Sequence, residues 1–171
     1  MHAKSEANKA NSFSTERTFD APRELVWKAF TEAERLAKWW GPKGFGMVVA
    51  KLDLRPGGTF LYGMKAPDGN MMWGKFVYRE IIPPERMDFV VSFTDEHGTP
   101  TRHPLSATWP LEVFNTATFS EHEGKTTVSM TGYPINASAE EIETFAAGRE
   151  SMNKGFAGTL DQLEAYLASC K

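Results

Sequence analysis

The chain has 171 residues, of which 41% are hydrophobic and 24% charged, and it carries a formal net charge of −3. Those values describe one globular domain with one sizeable core. The mildly acidic balance excludes the basic footprint of a nucleic-acid or anionic-membrane partner, and no apolar run reaches the length needed to span a bilayer.

Residues 1–11 are polar and read as a flexible N-terminal tail ahead of a single domain over 12–171. Cys170 is the only cysteine. It has no internal disulfide partner, which fits a reducing compartment, and the expectation is a cytoplasmic protein.

In chain order, Phe13, Thr15, Arg17 and Phe19 alternate as a first strand. Pro22 suits the first turn of a helix, where no amide donor is needed, and Leu25, Val26, Ala29 and Phe30 supply its apolar face. A second short helix restarts at Thr31 or Glu32 and ends at Gly41-Pro42. Residues 45–54 read as a strand. Pro56-Gly57-Gly58 turns the chain into another over 59–64, with Phe60, Tyr62 and Met64 on one face. Pro67-Asp68-Gly69-Asn70 turns again. The next strand, 72–82, puts Trp73 and Val77 on one face and Phe76 and Tyr78 on the other. Over 87–94, Met87, Phe89, Val91 and Phe93 alternate cleanly with polar residues. Residues 95–106 form a polar loop. A strand over 108–120 carries Pro110 near its start, the mark of an edge or bulge, and 126–135 is the last strand.

The C-terminal stretch 138–168 carries a stripe of Ile142, Phe145, Met152, Phe156, Leu160, Leu163 and Leu167 at helical spacing. Ser138 with Glu141 forms a capping box at its start. One helix of that length runs about 45 Å and needs a broad apolar surface opposite it. The hairpin-linked strands supply that surface as an antiparallel sheet. The expected fold is α+β: a curved antiparallel sheet of about seven strands wrapped around a long C-terminal helix, with two short helices after the first strand.

Several local motifs extend this reading. They are the run from Phe19 to Trp27, Trp39-Trp40-Gly41-Pro42, Asp53-Leu54-Arg55-Pro56-Gly57-Gly58, Ile82-Pro83-Pro84-Glu85-Arg86, and Asn153-Lys154-Gly155-Phe156 followed by Leu160-Asp161-Gln162-Leu163. Together they resemble the START-like, birch-pollen-allergen-like (SRPBCC) superfamily. More narrowly they resemble the family homologous to the C-terminal domain of the activator of the heat-shock protein 90 ATPase. The likeness covers residues 12–168. A Trp is common in that family where Phe156 stands, a change that bears on pocket shape. The resemblance implies a helix-grip fold with a cavity between helix and sheet, in which relatives hold lipids, sterols, polyketides or other apolar molecules.

The candidate ligand-binding residues are therefore Trp40, Phe45, Tyr62, Trp73, Phe93, Trp109, Met152, Phe156 and Arg149. With about 100° of turn per residue, Arg149 falls in the middle of the apolar arc. Two readings stand for it. It either turns outward or pairs with a structural carboxylate, or it faces the cavity and orients an anionic or carbonyl group on the ligand. Gly148, Gly155 and Gly158 each cost a helix about 1 kcal/mol. Close approach of another backbone offsets that cost, or else a kink opens the cavity mouth.

His97 and His103 flank a loop without a third ligand nearby, so no metal is expected. Gly-x-Ser-x-Gly and P-loop patterns are absent. Asp53, Glu80 and Glu112 are not forced inward by alternation, so no catalytic residues and no cofactor are assigned. The leading expectation is a non-enzymatic binding protein for a hydrophobic small molecule, as monomer or homodimer. The alternatives are a co-chaperone-like domain that stimulates a heat-shock protein ATPase in a stress response, and a cyclase- or hydrolase-like enzyme with an inward acid–base pair.

Overall fold

The structure, a computed structural model, describes residues 12–41, 44–103 and 106–170. The expected tail at 1–11, and with it His2, lies outside the described residues, as do Pro42 and the middle of the 95–106 loop. Strand β1 (Phe13–Phe19) leads into helices α1 (Arg23–Thr31) and α2 (Ala33–Trp39). Strands β2 (Gly46–Leu52), β3 (Thr59–Lys65), β4 (Met71–Ile82), β5 (Arg86–Thr94), β6 (Val113–His122) and β7 (Lys125–Pro134) follow, then helices α3 (Ala139–Ala147) and α4 (Arg149–Ser169).

The seven strands form one antiparallel sheet in the order β1-β7-β6-β5-β4-β3-β2. β2 to β7 form a meander, with short turns except between β5 and β6, which the long segment from Thr94 to Val113 joins. β1 closes it from the far side, with Phe13 opposite Gly132 and Phe19 opposite Thr126. β1 and β2 therefore sit at opposite edges, and the chain crosses between them through α1 and α2. The concave face grips α4, the helix-grip arrangement expected from the sequence.

One end of this concave face is tightly filled. Val26, Trp27 and Phe30 of α1 and Trp39 of α2 are buried with Phe119 of β6. Phe119 meets Trp27 and Phe30 edge-on at centroid distances of 5.1 Å each. Such pairs contribute beyond their buried area. Leu160, Leu163 and Leu167 of α4 press into the same cluster. The amide of Arg23, an orphan donor at the start of α1, donates to Glu121 Oε1 at 2.6 Å. Polar ties hold α4 across the sheet. Arg17 pairs with Asp161 at 2.6 Å, and Gln162 Nε2 donates to the carbonyls of Trp39 and Gly41 at 3.1 and 2.7 Å.

Two expectations need correction. The C-terminal helix is not continuous: it breaks at Gly148, which ends α3 and starts α4. The Gly148 amide donates back to Thr144 and Phe145 carbonyls, and its own carbonyl accepts from Met152. A Cβ at position 148 would stand 3.1 Å from the Trp109 ring, so a side chain rather than a backbone makes the close approach. Gly155 and Gly158 have nothing within 4 Å of a built Cβ, so close packing explains neither.

The strand placed over 108–120 begins only at Val113. Pro110 has no amide to give a ladder. The segment before it instead ties to α3: the Thr108 and Thr144 hydroxyls bond at 2.9 Å, and Arg102 pairs with Glu141 and donates to the Trp109 carbonyl at 3.1 Å.

Candidate functional site

The other end of the concave face is hollow. A cavity of about 210 Å³ lies between the α3–α4 break and the sheet. Its position follows from the crossover: α1 and α2 fill one end only, and the loop carrying Trp109 covers the other. Trp109 stacks at a tilt on Phe145 at 5.4 Å, which fixes the loop against α3.

Six of the expected residues line this cavity: Trp40, Tyr62, Phe93, Trp109, Met152 and Phe156. A second chamber of about 230 Å³ opens beside it, bounded by Gly41, Met64, Gly155 and Thr159. Trp40, Tyr62, Met152 and Phe156 belong to both walls and stand between the two spaces. Phe156 stacks on Phe13 at 5.2 Å and meets Trp40 edge-on at 6.4 Å.

Three expected residues are elsewhere. Trp73 lies on the convex face: it pairs with Gly63, and its ring would come within 2.9 Å of a Cβ there. Tyr62 does the same on the concave face, lying over Gly74 with its hydroxyl 2.7 Å from a built Cβ. Each glycine makes room for the aromatic directly across the ladder. Phe45 is half-buried against the core without reaching the cavity wall.

Arg149 is exposed, and its Nε donates to the Ala146 carbonyl at 3.2 Å. The helix break resets the phase that put Arg149 among the apolar positions. Its guanidinium instead serves the C-terminal end of α3, where carbonyls lack partners and the helix dipole favours a cation. Arg149 therefore turns outward, the first of its two expected readings, and does not line the cavity.

The sequence reading missed Phe13, Phe76, Phe89, Met130, Phe145 and Asn115, which complete much of the wall. Phe76 was within reach, because the Pro67–Asn70 turn sets the register that places it opposite Phe60. Phe13 was not, because nothing local reports the pairing of β1 with β7.

No charged side chain lines the cavity among the described residues. Tyr62 meets the Trp40 ring edge-on at 5.9 Å, and burial pushes its pKa far above the ordinary phenol value, so it stays neutral. Asp53 pairs with Arg55 at 2.8 Å, Glu80 with Arg86 at 2.5 Å, and Glu112 accepts from Asn136 at 3.1 Å, so these carboxylates serve surface contacts. His97 is exposed, whereas His103 sits edge-on against Phe93 at 4.6 Å, and burial lowers its pKa. Among the described residues, no group of three His, Cys, Asp or Glu side chains could hold a metal ion, and no helix is long and apolar enough to cross a membrane. The arrangement can enclose an uncharged apolar molecule between aromatic rings, and among the described residues no acid–base pair lines it.

Comparison with known proteins places this architecture. The family described as "Activator of Hsp90 ATPase homolog 1-like protein" matches residues 20–168. A crystal structure of a Mycobacterium smegmatis protein is 28% identical, with 92% of this chain and 91% of that one covered at a TM-score of 0.76. A solution structure from Arthrobacter aurescens is 26% identical, covering 94% and 87% at 0.79. A crystal structure of a Chromobacterium violaceum protein is 26% identical, covering 92% and 97% at 0.72. No curated protein matches the chain.

Proposed function

The chain belongs to the family of activator of Hsp90 ATPase homolog 1-like proteins, and within it we propose that this protein binds a small apolar molecule between α4 and the sheet. The observation that carries this reading is the uncharged, aromatic-walled cavity of about 210 Å³. An apolar cavity of about 150 Å³ is enough for benzene, and pockets for drug-sized ligands begin near about 300 Å³. The occupant is therefore a molecule of one or two rings or a short acyl chain, smaller than the sterols and polyketides associated with relatives. Burial of its surface drives binding, and desolvation excludes charged competitors.

Trp40 and Trp109 in the wall provide the readout. Naphthalene titrated into the full chain should change tryptophan fluorescence saturably, with one site per chain. Met152→Trp, which fills the space, should remove that response while the far-UV circular dichroism is kept. No saturable change up to the solubility limit of naphthalene would overturn the reading.

Stimulation of a heat-shock protein 90 ATPase is the second reading, and the family's own description favours it. An ATPase assay with the chaperone decides it: stimulation by Met152→Trp equal to that by the wild type would place any chaperone role on a surface separate from the cavity.

A further inference from the structure

One polar side chain stands in this apolar wall without a full set of partners. Asn115 lies on the concave face of β6, between Phe89 of β5 and Gly132 of β7 in the ladder. It is 8% exposed and lines the cavity. Its Nδ2 donates to the Val113 carbonyl at 3.0 Å, which fixes the orientation of the amide. Its Oδ1 lies over Gly132, only 2.6 Å from where a Cβ would stand. Glycine at 132 is therefore what makes room for this oxygen, and Gly132 is itself part of the cavity wall. Among the described residues no donor reaches Oδ1. An amide oxygen accepts through two lone pairs, and Oδ1 is not among the closed-off polar atoms without a partner, so it is open to an occupant of the cavity that Asn115 lines. The side chain is thus an acceptor held in a fixed direction at the edge of an apolar cavity.

We propose that Asn115 selects the ligand: a neutral one- or two-ring molecule carrying a single O–H or N–H group, which donates to Asn115 Oδ1 while the rings pack among Phe76, Phe89, Trp40 and Trp109. Neutrality follows from the wall, which offers no counter-ion to a carboxylate or an ammonium. A donor on the ligand suits the site, because the Val113 carbonyl takes one of the two amide N–H groups and fixes the amide, whereas the oxygen keeps both lone pairs for an occupant. A site with a fixed polar partner discriminates strongly against analogues that leave it unpaired. This inference rests on the cavity-binding reading above and names the chemistry of the same site.

The test is isothermal titration of the full chain with 2-naphthol and with 2-methylnaphthalene, which have nearly the same shape and differ in the donor. The wild type should bind 2-naphthol at least tenfold more tightly. Asn115→Leu should bring the two affinities within about twofold, chiefly by weakening 2-naphthol. Equal binding of the two by the wild type would overturn the role of Asn115 and leave the cavity reading standing. Binding of neither would overturn both. The wild-type pair of titrations decides the matter even if the Asn115→Leu chain does not fold.

Discussion

The two ends of α4 face the same sheet and meet it differently. Toward the C-terminus, Leu160, Leu163 and Leu167 are enclosed by α1, α2 and the sheet, with Leu163 at 0% exposure. Toward the N-terminus, Met152 and Phe156 belong to the same apolar stripe but stay half-buried on the walls of two chambers. The difference lies in what the rest of the chain supplies. The β1-to-β2 crossover places two helices at one end. The other end receives only the loop with His103 and Trp109, braced against α3. An apolar stripe marks the inward face of a helix, and it does not say whether the space opposite is filled.

The sharpest way to test that contrast is a pair of truncations. Leu163→Ala should cost about 3–4 kcal/mol, because a tight core relaxes only partly around a new void. Met152→Ala should cost about 1 kcal/mol, because the space beside it is already empty. Urea unfolding measures both, and similar losses would mean that the hollow end is packed in solution.

A second contrast is between two buried tyrosines. Tyr62 lines the cavity with its hydroxyl over Gly74, where an occupant or solvent can serve it, so Tyr62→Phe should cost up to about 1 kcal/mol of stability. Tyr78 is fully enclosed, and its hydroxyl has no partner among the described residues. Tyr78→Phe removes an unsatisfied group, so thermal unfolding should show no loss and up to about 1 kcal/mol of gain. A clear loss would mean that an ordered water serves Tyr78.

Gly155 borders the second chamber, with open space where a Cβ would stand. Gly155→Ala should therefore raise stability by about 0.5–1 kcal/mol through helix propensity. If the unfolding midpoint falls instead, the chamber has no room for a methyl group at that position.

The smallest expected effect is on pH dependence. Burial lowers the His103 pKa below its ordinary value of 6.5, so the unfolded chain takes up the proton first as pH falls. The stability tied to neutral His103 is present above that value and is lost as pH drops through it toward the folded pKa. Glu141 behaves as a lowered carboxylate: the Ser138 amide, then Arg102, holds its pKa down, and its contribution is lost at more acid pH. His103→Gln should flatten the melting temperature between about pH 7 and pH 5, and an unchanged slope would place the titration elsewhere.

The sequence by itself determined the relations that act over a few residues. Alternation put Phe60, Tyr62 and Met64 on one face and separated Trp73 from Phe76, and both parities hold. Ser138 and Glu141 form the expected capping box, because capping needs only partners three residues apart. The tertiary structure decided which of those faces is concave, and that sent Tyr62 to the cavity and Trp73 to the outside. It decided that Trp109 packs against Gly148, where the helix breaks and Arg149 leaves the apolar arc. It also brought Phe13 and Asn115 to Gly132 across β7, joining segments roughly a hundred positions apart in the chain. Periodicity orders a residue only against its near neighbours. The hollow of the site is enclosed by long-range pairing and by where the crossover helices settle, and neither leaves a local mark in the sequence.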